Sequence, residues 1–232
     1  MDLLWDGLTE AFRLIFTFDG EVFAIASLSL AVSGFATLLS LAIGVPVGSF
    51  LALRHFPGRP VVLAIVNTGM GLPPVVVGLF VAVMLWRSGP LGDLHLIYTP
   101  MAMVIAQCVI ATPIITGFTA AALQSLDPRL RLQILSLGAS TPQMLWLLLK
   151  EARLPLLAAV MAGFGAVISE VGASLMVGGN IKDETRVLTT AMVLETSRGQ
   201  FELALALGII LLVLMIVVNA VLTAVQQGRR VV

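Results

Sequence analysis

Five apolar stretches, about 22–52, 61–86, 100–123, 154–178 and 203–225, constrain the fold of this 232-residue chain more than any other feature. Each exceeds the roughly 20 residues needed to cross the hydrocarbon core of a bilayer. In that solvent every backbone N–H and C=O needs a partner inside the protein. Helices are therefore the default, and the in–out alternation of a membrane barrel is absent. Composition agrees, with 59% hydrophobic and 11% charged residues, where a soluble domain has about 45–50% and about 25%. The expectation is an all-α polytopic membrane protein with lipid around it. A formal net charge of zero leaves no electrostatic footprint for nucleic acid. Cys108 is the only cysteine, which excludes an internal disulfide or a cysteine metal cluster and suits a packing role in its apolar run.

Residues 1–21 are patterned differently. Asp2, Asp6 and Glu10 oppose the positive start of a secretory signal. Asp6, Glu10 and Arg13 recur at helical spacing opposite Leu4, Leu8, Ala11 and Ile15. This predicts an amphipathic helix that lies in the membrane interface or packs on the spans. Lys and Arg then set the orientation. Arg54, Arg59, Arg129, Arg131, Lys150, Arg153, Arg229 and Arg230 fall on one side, eight of the thirteen basic residues. Five crossings with that side inward put the N-terminus outside and the tail 226–232 in the cytoplasm. Prolines interrupt the spans. Pro46 and Pro113 predict packing kinks, whereas Pro73 and Pro74, among Gly69, Gly71 and Gly78, should break the second span near mid-membrane, as a packing kink or beside a substrate pathway.

The loop 124–153 lies on the basic side and is too structured for a linker. Asp127-Pro128 is a helix start, Leu130, Ile134 and Leu137 form an apolar stripe, and Gly138 suits the left-handed end of a helix. Ser140, Thr141 and Pro142 then start a second helix that runs through Met144-Leu145-Trp146 towards Lys150. Two short helices around a Gly-Ala-Ser-Thr turn, with an apolar face, need a partner surface or the membrane interface to cover them.

These residues carry a resemblance. A cytoplasmic helix–Gly–helix before the penultimate span is similar to the loop with which ABC importer permeases, of the MetI-like fold, dock into a cleft of their ATPase. The family pattern Glu-Ala-Ala-x-x-x-Gly maps onto Leu132-Gln133-Ile134 and Gly138. The acidic triplet is lost, the core Leu137-Gly138-Ala139-Ser140 remains, and the family's later leucine–proline pair is displaced to Leu154-Pro155. Downstream, GFGAVISEVGASLMVGGNI (163–181) and TRVLTTAMVLETSRGQFELALALG (185–208), with LPPVVVGLFV (72–81), resemble the permeases of tungstate-type ABC importers, relatives of the molybdate and sulfate permeases. The likeness runs from about residue 22 to the end. It implies a multi-pass subunit of a prokaryotic inner membrane that works as a homodimer. A cytoplasmic ABC ATPase dimer and an extracytoplasmic oxyanion-binding protein would complete the assembly. Gln133, Ile134, Leu137, Gly138, Ala139, Ser140, Thr141 and Met144 would be the ATPase-coupling residues. No Gly-x-x-x-x-Gly-Lys-Ser/Thr loop occurs, so no cofactor is expected here and ATP belongs to the partner.

Glu170 sits within the fourth span. A carboxylate near the bilayer centre costs about 2.5–3.5 kcal/mol on insertion scales, so it should face protein or water. It is either a gate residue, bonded to backbone or to a cation such as Arg186, or a static helix–helix hydrogen bond. A dianion is better held weakly by neutral donors, and Ser174, Asn180, Thr189 and Thr190 are candidates for the pathway, with Gly172, Gly178 and Gly179 permitting close approach. The alternative for the Ser and Thr residues is hydrogen bonding between helices. The segment 181–202 reads as a short re-entrant or surface helix. No nucleophile–base pair or metal cluster is visible, which disfavours an enzyme. A permease for molybdate, sulfate or another small solute, and a stand-alone channel or ion-coupled carrier, remain alternatives to tungstate import.

Overall fold

The computed structural model describes residues 2–17 and 19–227, so Arg229, Arg230 and most of the expected tail lie outside the described residues. Eleven α-helices and one 3₁₀ turn, Gly92–Leu94, make up the described chain. Three helices are long and apolar enough to cross a membrane unaided: α2 (Gly20–Leu53), α5 (Pro100–Gln124) and α11 (Phe201–Gln227). Asp19 starts α2 by accepting a hydrogen bond from Val22 N, and Thr99 starts α5 by accepting one from Ala102 N. Pro46 and Pro113 both sit inside continuous helices.

Helix α2 packs along α5 in the most extensive helix–helix interface of the fold. Their contact is built from small residues. A Cβ on Gly44 would stand 2.9 Å from Ile115 Cγ2, and one on Gly48 would stand 2.6 Å from the Thr116 carbonyl oxygen. Lipid tails are as apolar as leucine, so helices in a bilayer gain by close van der Waals packing rather than by hiding from water, and small residues allow that approach. Around this pair, Val77, Val81 and Leu85 of α4 (Pro74–Leu85), Val167 of α8 (Arg153–Ile168) and Val177 of α9 (Gly172–Gly178) complete the central core.

The second and fourth expected spans are not continuous. The second divides into α3 (Arg59–Met70) and α4, bent by 101° at residues 71–73. A proline at N1 suits a helix start, and Pro74 opens α4 there. The fourth divides into α8 and the two-turn α9, separated by residues 169–171, a break that the apolar run 154–178 does not announce. Helix α7 (Thr141–Glu151) meets α8 at 73°, and Arg153 begins α8 directly after the bend.

Helix α1 (Asp2–Phe16) packs on α11. The expected stripe needs correction. Gly7, Ala11 and Leu14 face inward, whereas Leu4 and Ile15 are exposed. Gly7 sets the register, because a Cβ there would stand only 2.7 Å from Leu205 Cβ. Trp5, Phe12 and Phe16 remain on the outer face, suited to lipid. Of the two alternatives for 181–202, a re-entrant or a surface helix, the structure has α10 (Leu188–Ser197) inserted into the bundle rather than lying on its surface. Leu188, Thr190 and Ala191 are buried, and Leu188 N donates to Ser29 Oγ of α2 at 2.9 Å.

Cross-chain bonds define two ends of the molecule. Arg131 donates to Leu53 O at 3.1 Å, and Arg59 donates to Leu51 O at 2.8 Å, so the C-terminus of α2 and helix α6 (Pro128–Ser136) share one end. At the other, Lys182 meets Glu21 at 2.8 Å and brings the start of α2 to the loop after α9.

Candidate functional site

Three features concentrate the polar and conformationally special residues of this apolar chain. The first is the projection formed by α6 and α7. Asp127 accepts from Arg129 N at 2.8 Å and starts α6. Gln143 Oε1 accepts from both Ser140 N and Ser140 Oγ and secures the start of α7. Between them Gly138 has φ +83°, with open space where a Cβ would lie. Ile134 and Met144 point inward onto Ala122, Leu123 and Leu148. Each such burial from water is worth about 1.5–3 kcal/mol. Leu137, expected in the same stripe, departs from it. It is the C-cap of α6 and is 87% exposed. Leu132 and Trp146 are also exposed, so the turn presents apolar side chains around a glycine. Gln133, Ser140 and Thr141 lie on the outer surface, with Ala139 half-buried beside them.

The second feature is the meeting of the two helix breaks. Gly172, just past the α8–α9 break, lies against Val75, just past the α3–α4 break, so closely that a Cβ would collide with it. Next along the same contact, a Cβ on Gly78 would stand 2.5 Å from Ala173 Cα. Glu170 occupies the joint. Its Oε1 accepts from Ala173 N at 2.7 Å and so serves the first turn of α9. Its own carbonyl oxygen accepts from Thr189 Oγ1 of α10 at 2.9 Å. The partner suggested for Glu170 by the sequence, Arg186, is elsewhere, with Nη1 at 3.6 Å from Glu21. Ser174 accepts from Gln107 Nε2 of α5 at 3.4 Å. The structure thus brings Pro73, Pro74, Glu170, Gly172, Ser174 and Thr189 to one junction. Ser174, Thr189 and Glu170 are buried within a single chain. Gln107, 3% exposed, was missed by sequence reasoning. Its signal is a lone amide in the apolar run 100–123.

The third feature follows α9. Gly179 takes φ +71° and Asn180 takes φ +52°. Gly179 admits no side chain, because a Cβ would stand 2.8 Å from the Tyr98 ring. Asn180 Nδ2 donates to Thr190 O at 3.4 Å, and Thr190 Oγ1 accepts from Val187 N at 3.1 Å to start α10. Thr185 Oγ1 donates to Gly178 O and accepts from Ile181 N. Asn180 and Thr190 therefore close the loop rather than join the Glu170 junction. Beside it opens a cavity of about 510 Å³ between α1, α2, α10 and α11, rimmed by Arg13, Glu21, Lys182, Arg186 and Glu195. Hydrogen bonding to Glu21 raises the Lys182 pKa above its ordinary value. Among the described residues no group of three or more His, Cys, Asp or Glu is placed to hold a metal ion.

Comparison with known proteins adds the following. Residues 44–231 match the family model of the binding-protein-dependent transport system inner membrane component. The tungstate uptake system permease protein TupB of Peptoclostridium acidaminophilum is 37% identical over 98% of this chain and 100% of its own length. A probable anion ABC transporter permease of Haloferax volcanii is 42% identical over 85% of this chain and 87% of its own. The molybdenum transport permease ModB of Haemophilus influenzae is 29% identical over 74% and 78%. In fold, the chain resembles a chain of the inward-facing MetNI methionine ABC transporter, with a TM-score of 0.71, 19% identity, and 93% and 97% of the two chains covered.

Proposed function

We infer that this chain, which belongs to the family of binding-protein-dependent transport system inner membrane components, is the permease subunit that carries tungstate across the membrane. The observation that carries the substrate is the end-to-end likeness to a tungstate uptake permease, at 37% identity over 98% of the chain. A different tetrahedral oxyanion is the second reading, favoured by the probable anion permease at 42% identity.

The α6–α7 projection is the part suited to an ATPase. Leu137, Leu132 and Trp146 present apolar surface to solvent, and Gly138 at φ +83° leaves a gap in that surface. A protruding turn held to the spans by Ile134 and Met144 can transmit a push, since its base is packed and its tip is free. Arg54, Arg59, Arg129 and Arg131 lie at that end, which supports placing it in the cytoplasm with the N-terminus outside. ATP would be bound and hydrolysed by the partner, and the substrate would arrive on a separate binding protein at the opposite end, near Lys182 and Arg186.

The mechanism uses two copies of the chain around a shared route. Movement of the two α6–α7 projections by the ATPase would tilt the bundles. The adjoining breaks at 71–73 and 169–171 are the joints where continuous helices do not resist that tilt. Glu170 holds this joint, and beside it Ser174 and Thr189 are neutral, so no fixed cation is there to trap a dianion.

The test is uptake by proteoliposomes that contain this chain with its ATPase and binding protein, offered tungstate, molybdate and sulfate in competition. ATP-dependent tungstate uptake that needs all three proteins is expected. Preference for another anion would overturn the substrate, and flux without the ATPase would overturn the division of labour. Gly138→Trp is expected to leave ATP hydrolysis running without uptake.

A further inference from the structure

The break between α3 and α4 carries polarity that nothing in the chain satisfies. Helix α3 packs on α5 through half-buried residues, and none of its residues is fully buried. Thr68 returns its hydroxyl to Ala64 O, whereas the neighbouring Asn67 is exposed and its amide has no protein partner among the described residues. Asn67 is four residues before Gly71, so both lie on one face, a turn apart. Gly71, Leu72 and Pro73 are exposed as well, and the carbonyl oxygens of Met70, Gly71 and Leu72 accept no backbone hydrogen bond.

Depth makes this informative. A Cβ on Gly69 would stand 2.8 Å from Pro113 Cβ, and one on Gly117 would stand 2.7 Å from Met70 Sδ. Pro113 lies in the middle of α5, which crosses unbroken from Pro100 to Gln124, and Gly117 lies one turn further along it. The open backbone is therefore at mid-span, where lipid offers no hydrogen bond. Irregular backbone at that depth persists only when buried in protein or lining water, and an unpaired amide in hydrocarbon is costly. A second copy alone does not resolve it. The exposed set has four acceptor oxygens, three carbonyls and Asn67 Oδ1, against the two N–H groups of Asn67 and that of Val75. A two-fold copy brings the same surplus of acceptors. Water would supply the missing donors.

We propose that the Asn67 face of α3 and the break at 71–73 line the water-filled route at mid-membrane, and that the Asn67 amide is a donor that meets the passing tetrahedral oxyanion. The proposal rests on the permease reading. A neutral amide can offer N–H groups to an anion without holding it as a cation would, as conduction requires.

The complete transporter tests it in proteoliposomes. With the single native thiol removed by Cys108→Ala, N67C should react with an anionic, membrane-impermeant methanethiosulfonate. Saturating tungstate should slow that reaction, and reaction should abolish most uptake. I65C, two residues away and so on the opposite face of α3 from Asn67, should stay unlabelled. Asn67→Leu should slow uptake by at least about tenfold, the scale set by one hydrogen bond to a charged group, while the transporter still assembles. Absence of labelling at rest and during turnover would overturn the proposal. So would wild-type uptake by Asn67→Leu, or oxidative cross-linking of N67C between two copies in place of labelling. If wild-type vesicles import no tungstate, the permease substrate is wrong, yet labelling still reports whether water reaches Asn67.

Discussion

Glu170 offers the sharpest test of how the fourth span works, because its carboxyl group is placed where a structural role and a charge-dependent role predict different variants. Oε1 accepts from Ala173 N at 2.7 Å in a site where Glu170 is 8% exposed. Glu170→Ala removes that acceptor and leaves the Ala173 N–H buried without a partner, a cost of about 1–3 kcal/mol. For a chain of this size each kcal/mol lowers the thermal midpoint by about 2–4 °C, so the expected fall is about 2–12 °C. Glu170→Gln keeps an oxygen at the same position and should stay within about 1 kcal/mol of the wild type, or less than about 4 °C. The assay is thermal unfolding of the purified transporter in detergent, followed by fluorescence of Trp5, Trp86 and Trp146, alongside uptake in proteoliposomes. Glu170→Ala melting with the wild type, or Glu170→Gln falling as far as Glu170→Ala, would refute the hydrogen-bond account. Uptake lost in a Glu170→Gln variant that melts normally would assign the charge itself to the gate.

Leu137 is 87% exposed, so Leu137→Ser should change stability by no more than about 0.5 kcal/mol. The same change should weaken ATPase binding about tenfold, measured by titrating the ATPase onto the purified permease, if that side chain fills a pocket on the partner. Gly138→Val puts a branched residue at φ +83°, a strain of about 1–3 kcal/mol that thermal unfolding would register even though the space around the position is open. Gly48→Leu drives a side chain into the Thr116 carbonyl and Thr119. It should destabilise the α2–α5 pair by about 1–3 kcal/mol or more, with lower yield of folded protein in the membrane as the readout.

Much of this protein is legible in its sequence because a bilayer admits so few solutions. The long apolar runs fix helices and their approximate ends, and α2, α5 and α11 follow them within a few residues. Local chemistry fixes the turn at Gly138 too, since Asp127-Pro128, Gly138 and Ser140–Gln143 each satisfy backbone groups with neighbours in sequence. The break at 71–73 was marked by paired prolines, which cannot donate a backbone hydrogen bond.

The tertiary structure decided what local signals do not encode. The break at 169–171 has no proline. It is stable because Ala173 N finds the Glu170 carboxyl group and the Glu170 carbonyl finds Thr189, which lies on another helix. The inward face of α1 is Gly7, Ala11 and Leu14 rather than the larger residues, since close approach to Leu205 outweighs side-chain size when lipid is the competing solvent. Hydropathy likewise could not rank Ser174 against Asn67. One is buried with a partner, Gln107, far away in sequence, and the other is left uncovered at mid-span. Which polar groups are satisfied depends on the whole chain, whereas which segments cross depends only on their own composition.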